Sequence, residues 1–353
     1  MSPRAAPRPV LAAPASIVSG GEFEYGRFGT PFGRVNMLDV ARPYHNPVPR
    51  FVKNWRLKEW QAFQFGDERW FFFAALYNAK VFSMALFQGW DRQEKKGFGF
   101  RRVLPGSAFR LPESLQGSRV EYRGRRAFLA AACDLDEGSV RLTVLRAGKE
   151  SQARFSGSFR FAYGPRLAAP LAVCLPLGLN RAMYSTKVLM PAEGEFEAGG
   201  ESFRLAQPGA MGIMDDHKGY YPYRMRYDWV TGFGPDAKGR RTGFNLTDNQ
   251  VRDQERWNEN CMWINNRIWP LPPVRVTRPR GPAGEWIVQD TRGMVDLVFV
   301  PEVPNDIRIR LGLVESDYHG PFGSFRGVIK NGEGEKLQAE RLYGAGEQKY
   351  LRS

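Results

Sequence analysis

Alternation with a period of two runs through most of this chain, and a segment that alternates in this way must bury one face and wet the other. Val140, Leu142 and Val144 interleave with Arg141 and Thr143, and Phe159, Phe161 and Tyr163 with Ser158, Arg160 and Ala162. Near the C-terminus Ile307, Ile309, Leu311 and Leu313 alternate with Arg308, Arg310 and Gly312, and the run from Trp286 to Val300 is interrupted only around Asp290 to Gly293. Turn signals separate the runs at Gly66-Asp67, Ala198-Gly199-Gly200 and Asn331-Gly332-Glu333-Gly334. Helical periodicity is confined to one short window, 248–256, with Asp248 placed as its cap. An antiparallel all-β architecture with few helices follows. Over 353 residues, two barrels or two packed sandwiches are favoured over one open sheet, because closure removes exposed edges.

The hairpin Glu193 to Leu205, followed by a polar run, sets the expected boundary: an N-terminal unit over 21–205 and a C-terminal unit over 206–353. Residues 1–20, rich in Pro, Ala and Arg, read as a disordered tail and not as a secretory signal. Gly157-Ser158-Phe159-Arg160 recurs as Gly323-Ser324-Phe325-Arg326, and Glu59-Trp60 as Glu285-Trp286, but the two offsets differ and the evidence for a duplication is weak.

Aromatic residues make up 13% of the chain, enough to fill wide β cores or to enclose a flat ligand. The formal charge of +14 raises nucleic acid and anionic membrane as partners. The basic residues, however, alternate with apolar ones along strands, as on a solvated face, and no zinc spacing, helix-turn-helix or ribonucleoprotein motif accompanies them. Nucleic acid is therefore excluded as the expected partner. No apolar run reaches the ~18 residues of a membrane helix, which leaves at most a peripheral membrane contact. Cys133, Cys174 and Cys261 are odd in number, far apart and set among apolar residues. They read as buried thiols of a reducing compartment, hence a cytoplasmic protein.

The polar residues between Asp215 and Asn260 break this pattern. Asp215-Asp216-His217-Lys218-Gly219-Tyr220-Tyr221-Pro222-Tyr223-Arg224 is followed by Tyr227, Asp228 and Trp229, then by Asn245, Asp248 and Asn249, and by Asn258-Glu259-Asn260. Such groups are costly to bury unless they pair with one another, so a polar pocket is the economical explanation. A carboxylate beside an imidazole sets its tautomer and suits proton transfer near neutral pH, which makes Asp216 and His217 candidate acids or bases. The alternative is a turn in which Asp caps the backbone and His is exposed. Tyr220, Tyr221, Tyr223 and Trp229 would wall an apolar ligand, or simply fill a core. Asn245, Asn258 and Asn260 can orient a ligand but cannot move protons at neutral pH, leaving Asp248 and Glu259 as further acids, or else these residues only build loops.

A second cluster, Ser316-Asp317-Tyr318-His319-Gly320-Pro321-Phe322-Gly323, puts Asp317 and His319 on one side if extended. Lys53-Asn54-Trp55-Arg56-Leu57-Lys58-Glu59-Trp60-Gln61 mixes charge with indole, as a rim with cation-π contacts or as exposed strand charge. No pair of histidines stands at helical spacing and no cysteine has a metal-ligand neighbour, so no metal is expected. Gly-x-Ser-x-Gly and phosphate-cradling loops are absent, and no cofactor is expected.

Four segments, Lys53 to Gln61, Asp216 to Pro222, Asn258-Glu259-Asn260 and Ser316 to Gly323, resemble the signatures of the domain of unknown function 2804 family, over roughly residues 20 to 350. More distantly, that family is similar to the AttH and carotenoid hydratase (hydroxyneurosporene synthase) group. The resemblance implies a pair of lipocalin-like β barrels, an apolar cavity, and acid-assisted addition or cyclisation on an isoprenoid. The expectation is then a cavity lined by Tyr220, Tyr221, Tyr223, Trp229 and Trp263, with Asn245, Asp248, Asn258, Asn260, Tyr318 and His319 also at the ligand. In it Asp216 or His217 donates a proton to a hydrophobic, isoprenoid- or lipid-like molecule, Tyr221 orients it, and Asp248, Glu259 or Asp317 accepts one. A non-catalytic lipid or pigment carrier and a glycan-active enzyme are the alternatives.

Overall fold

In the computed structural model, residues 9–148, 154–178, 180–206, 208–311 and 314–352 are described. Residues 1–8 of the expected tail, together with Gly312 and Leu313, lie outside them. Two large sheets dominate, and all the named strands in them pair antiparallel. From one edge the first runs Lys96–Pro105, Phe82–Asp91, Trp70–Asn78, Lys58–Gly66, Met211–Gly219, Arg181–Ala198, Phe155–Ala162, Ser139–Arg146, Ala127–Asp134 and Ser118–Arg123. The second runs Arg267–Pro270, Cys261–Ile264, Arg241–Asp248, Arg224–Pro235, Tyr343–Arg352, Phe322–Lys330, Val295–Val303, Trp286–Gln289 and Arg275–Thr277. The chain is an all-β protein of two curled, antiparallel half-barrel sheets.

The curl follows from which side chains meet. Phe87 and Phe155 stand on strands far apart in the order of the first sheet, yet their ring centroids are 4.9 Å apart. Only a sheet bent back on itself allows this. Its inner face is filled with rings, among them Phe65, Phe72, Phe159 and Phe196. In the second sheet Phe244, Phe325 and Phe299 close a smaller core in the same way. The high aromatic content thus goes largely into core packing. A third apolar layer joins the sheets, where Phe71 meets Phe233, Phe322 and Tyr343.

The alternation read in the sequence is realised residue by residue. Val140, Leu142 and Val144 are buried while Arg141 and Thr143 are exposed. Three expectations are corrected. The window 248–256 forms no helix: the strand runs to Asp248, and Asp253, at φ 50°, opens a tight turn closed by Trp257 N–H on Asp253 O. The one α-helix among the described residues is Arg50–Arg56, and none of its residues is buried. The expected tail does not extend through residue 20, because Leu11 bridges Phe28 and Ile17 is fully buried. The expected change of unit between 205 and 206 falls within the first sheet. Met211–Gly219 lies there between Lys58–Gly66 and Arg181–Ala198, and the chain enters the second sheet only at Arg224. The cysteines are free and buried, and no helix among the described residues is long and apolar enough to cross a membrane.

Candidate functional site

Three neighbouring strands of the first sheet create the site by register. Trp60, His217 and Ser185 stand side by side across the strands, and one step along so do Ala62, Asp215 and Lys187. Directly opposed residues on one face lie within side-chain reach. The Trp60 and His217 rings accordingly stack at 3.8 Å with 4° between their planes, and Lys187 Nζ is 3.1 Å from Asp215 Oδ1. These residues face the second sheet, and between the two sheets lies a cavity of about 110 Å³. Its walls are mostly apolar, including Phe73, Met84, Leu86, Met183, Met225 and Ile309.

Lys187 anchors the polar side. It donates to Ser185 Oγ at 2.6 Å and to Glu259 Oε2 at 2.6 Å. Asp215 accepts from Ser185 Oγ at 2.9 Å and, through its other oxygen, from Trp60 Nε1 at 2.9 Å. Burial pushes the Asp215 carboxyl up, but the Lys187 ammonium and the Trp60 indole N–H outweigh it and hold the group below the usual carboxylate range. Lys187, against the pull of burial, is held above the usual lysine range by Asp215 and Glu259. All three side chains are almost wholly buried, so the pairing is what makes their charges tolerable.

Beyond the end of its strand, Tyr221 turns back over His217 and its hydroxyl shares a hydrogen bond with Nε2 of that ring. Gly219 permits the turn, since a Cβ there would meet the Tyr221 ring at 2.7 Å. Burial keeps the His217 imidazole neutral, well below its usual value, and holds the Tyr221 phenol well above its own. Nδ1 of His217 is buried and has no hydrogen-bond partner among the described residues.

The second sheet supplies the opposite wall. Tyr318, Lys349 and Tyr227 stand side by side across three strands, and Glu347 is opposite Trp229. Glu347 accepts from the hydroxyls of Tyr318 at 2.6 Å and Tyr227 at 3.0 Å. Burial raises its carboxyl above the usual range.

Of the residues expected from sequence, His217, Tyr221, Glu259, Trp229 and Tyr318 line this one cavity. Asp216 does not: strand alternation turns it to the other face, where it accepts from Gln61 Nε2 at 3.3 Å. Asp317 is half-exposed, beside Arg308 and His319, and His319 pairs with Asp306 at 3.0 Å. These two, with Asp248, line a polar groove outside the cavity, and Asp248 is tied to Arg275. Tyr220 points away, into another core, with its hydroxyl on Met37 O. Tyr223 is exposed, and Trp263 is buried with its indole N–H on Ala169 O. Asn245, Asn258 and Asn260 stand behind the lining and not on it. Asn245 accepts from Trp229 Nε1 and donates to Glu259 O, Asn260 accepts from Thr247 N–H, and Asn258 accepts from Asn260 N–H. Their effect is to fix Glu259, whose Oε1 also takes the Thr247 hydroxyl at 2.9 Å.

Sequence reasoning missed Lys187, Glu347, Lys349 and Tyr77. A signal was present: Lys187 shares a strand phase with Leu189, as Glu347 and Lys349 do with Ala345 and Leu351, and a charge in the buried phase marks a site.

Asp216 has a different consequence. Burial raises its carboxyl from 3.8 to about 6 even though Lys218 is near. Between those two values the folded state holds a proton that the unfolded state has released, so this residue makes stability fall as pH rises through the window. Asp216→Asn is expected to stabilise the protein above the window by on the order of 1–3 kcal/mol. In urea titrations the gain should shrink toward nothing as pH is lowered to the ordinary carboxylate range, and a loss of stability above the window would contradict this placement.

Among solved structures, kievitone hydratase from Nectria haematococca is similar at 9% identity and a TM-score of 0.43, over 84% of this chain and 89% of that one. CghA is similar at 10% identity and a TM-score of 0.40, over 84% and 88%. No curated protein matches the sequence. The model of one family, the domain of unknown function DUF2804, matches residues 19–352, and the chain belongs to that family.

Proposed function

We propose that the protein binds a hydrophobic small molecule between its two sheets and moves a proton to or from it without a cofactor, as in a hydration, isomerisation or cyclisation. The observation that carries this reading is the His217–Tyr221 pair, a neutral imidazole and a neutral phenol joined by a hydrogen bond at the wall of an apolar cavity. A phenol whose pKa is raised does not ionise by itself. Its oxygen takes a proton from a carbon of the bound molecule as its own proton passes to Nε2 of His217, which leaves an enolate or carbanion and an imidazolium, and the reverse transfer returns a proton to the molecule. Trp60 holds the imidazole flat, and Asp215, bonded to the Trp60 indole, fixes the ring behind it. The lining by Phe73, Met84, Leu86 and Met225 suits a hydrocarbon better than a sugar ring, which argues against glycan chemistry.

The carrier reading has one observation in its favour. Lys187, Asp215 and Glu259 satisfy one another, as a purely structural brace would. The two readings separate in one experiment. Apolar compound is extracted from untreated protein, identified by mass spectrometry, and returned to the protein in D2O. Proton transfer predicts deuterium entering the compound at carbon. A compound recovered unlabelled and chemically intact would make the protein a carrier.

A further inference from the structure

Among the described residues three buried lysines have oxygen partners. Lys58 donates to Ala79 O at 2.8 Å, Lys187 to Glu259, and Lys218 to Glu59 Oε1 at 2.6 Å. Lys349 differs. It lines the cavity, and its ammonium meets ring faces: Tyr77 at 4.8 Å, Trp60 at 5.3 Å, Tyr227 at 5.6 Å and Tyr318 at 6.0 Å to the centroids. Among the described residues no carboxylate stands within ion-pair distance of it, and the adjacent Glu347 has one tyrosine hydroxyl on each oxygen. Ring faces attract a cation but accept none of its three N–H bonds in the way an oxygen does. Lys349 is half-buried, and the N–H groups it turns toward the rings and away from the groove are left for an oxygen that the cavity receives.

The position of Lys349 gives that something an orientation. Arg226, Tyr227, Asn249, Gln250 and Lys349 border both the apolar cavity and the polar groove beside it, so the ammonium stands where apolar lining gives way to polar lining. Trp60 contacts both Lys349 and His217. A group held by Lys349 is therefore within an indole's reach of the His217–Tyr221 pair.

We infer that the molecule taken by this cavity carries an acidic oxygen group, a carboxylate or an acidic enol, which pairs with Lys349 while its apolar body lies against Phe73, Met84 and Ile309. The inference rests on the cavity reading above and narrows it to amphiphilic acids. Burial pulls the Lys349 ammonium below the usual lysine range, against Glu347, and an anion beside it would favour its protonated form. An enolate formed by proton transfer at His217–Tyr221 would meet the same cation, so Lys349 would also stabilise charge that develops during the reaction.

The test uses a matched pair of probes, 4-phenylbutyrate and 4-phenylbutan-1-ol, titrated calorimetrically into the full chain. The wild type is expected to favour the acid by about tenfold or more, the order of a charge-assisted hydrogen bond. Lys349→Met is expected to erase the preference with the alcohol affinity changed less than about threefold, and Lys349→Arg to retain most of it. Equal binding of both probes by the wild type, or an unchanged preference in a folded Lys349→Met protein, overturns the inference and leaves the cavity reading standing. Failure of the wild type to bind either probe overturns both.

Discussion

Tyr221→Phe is expected to slow deuterium entry into the extracted compound by about 10²–10⁴-fold, the usual worth of a positioned acid or base. The change removes one oxygen, the one bonded to His217 Nε2, and leaves the ring that packs in the layer between the sheets. Affinity for the compound should therefore stay within about threefold, because an interaction made chiefly in the transition state affects rate and not binding. His217→Gln should produce a loss of similar size, since the phenol then has no base to exchange with. The pair acts as a unit, so the double variant should be little slower than either single one. Retention of the wild-type rate in Tyr221→Phe would remove the pair from the chemistry.

The second large effect is on stability. Lys187→Met is expected to destabilise the protein by about 3–5 kcal/mol, because it leaves Asp215 and Glu259 as buried carboxylates with no cation between them. Combining it with Asp215→Asn and Glu259→Gln should recover most of the loss, since the uncompensated charges are removed with their partner. Denaturant titrations of the single and triple variants measure both. A single variant as stable as the wild type would mean that the three charges are hydrated and that the cavity side they form is not closed.

Much of this was legible in the chain. The period-two pattern sufficed for the architecture because strands such as Ser139–Arg146 bury one face, with Val140, Leu142 and Val144 inside, although Trp70–Asn78 and Met211–Gly219 are buried throughout. Asn258-Glu259-Asn260 stood out because amides and a carboxylate in an apolar context must be paired, and Glu259 is indeed held by Thr247, Asn245 and Lys187. What was not legible is which face of its strand a side chain falls on. Asp215 and Asp216 are equivalent letters, and only the pairing of their strand with Trp60 and Lys187 decides that Asp215 meets the cavity and Asp216 the opposite face. The same register puts Tyr221 on His217 and sends Tyr220 into another core. For Lys349 the strand phase was a signal, but the ring contacts around its ammonium were not. Its neighbours Tyr77, Tyr227 and Tyr318 come from three separate strands, and no local spacing reports a contact of that range.

The position of the bound molecule tests the central claim most directly. Co-crystals of the full chain with the compound extracted from it should show density between the sheets, with one end against Tyr221 and the body along Met84 and Ile309. Density inside either half-barrel or on the outer surface, with only water between Trp60 and Lys349, would contradict the account.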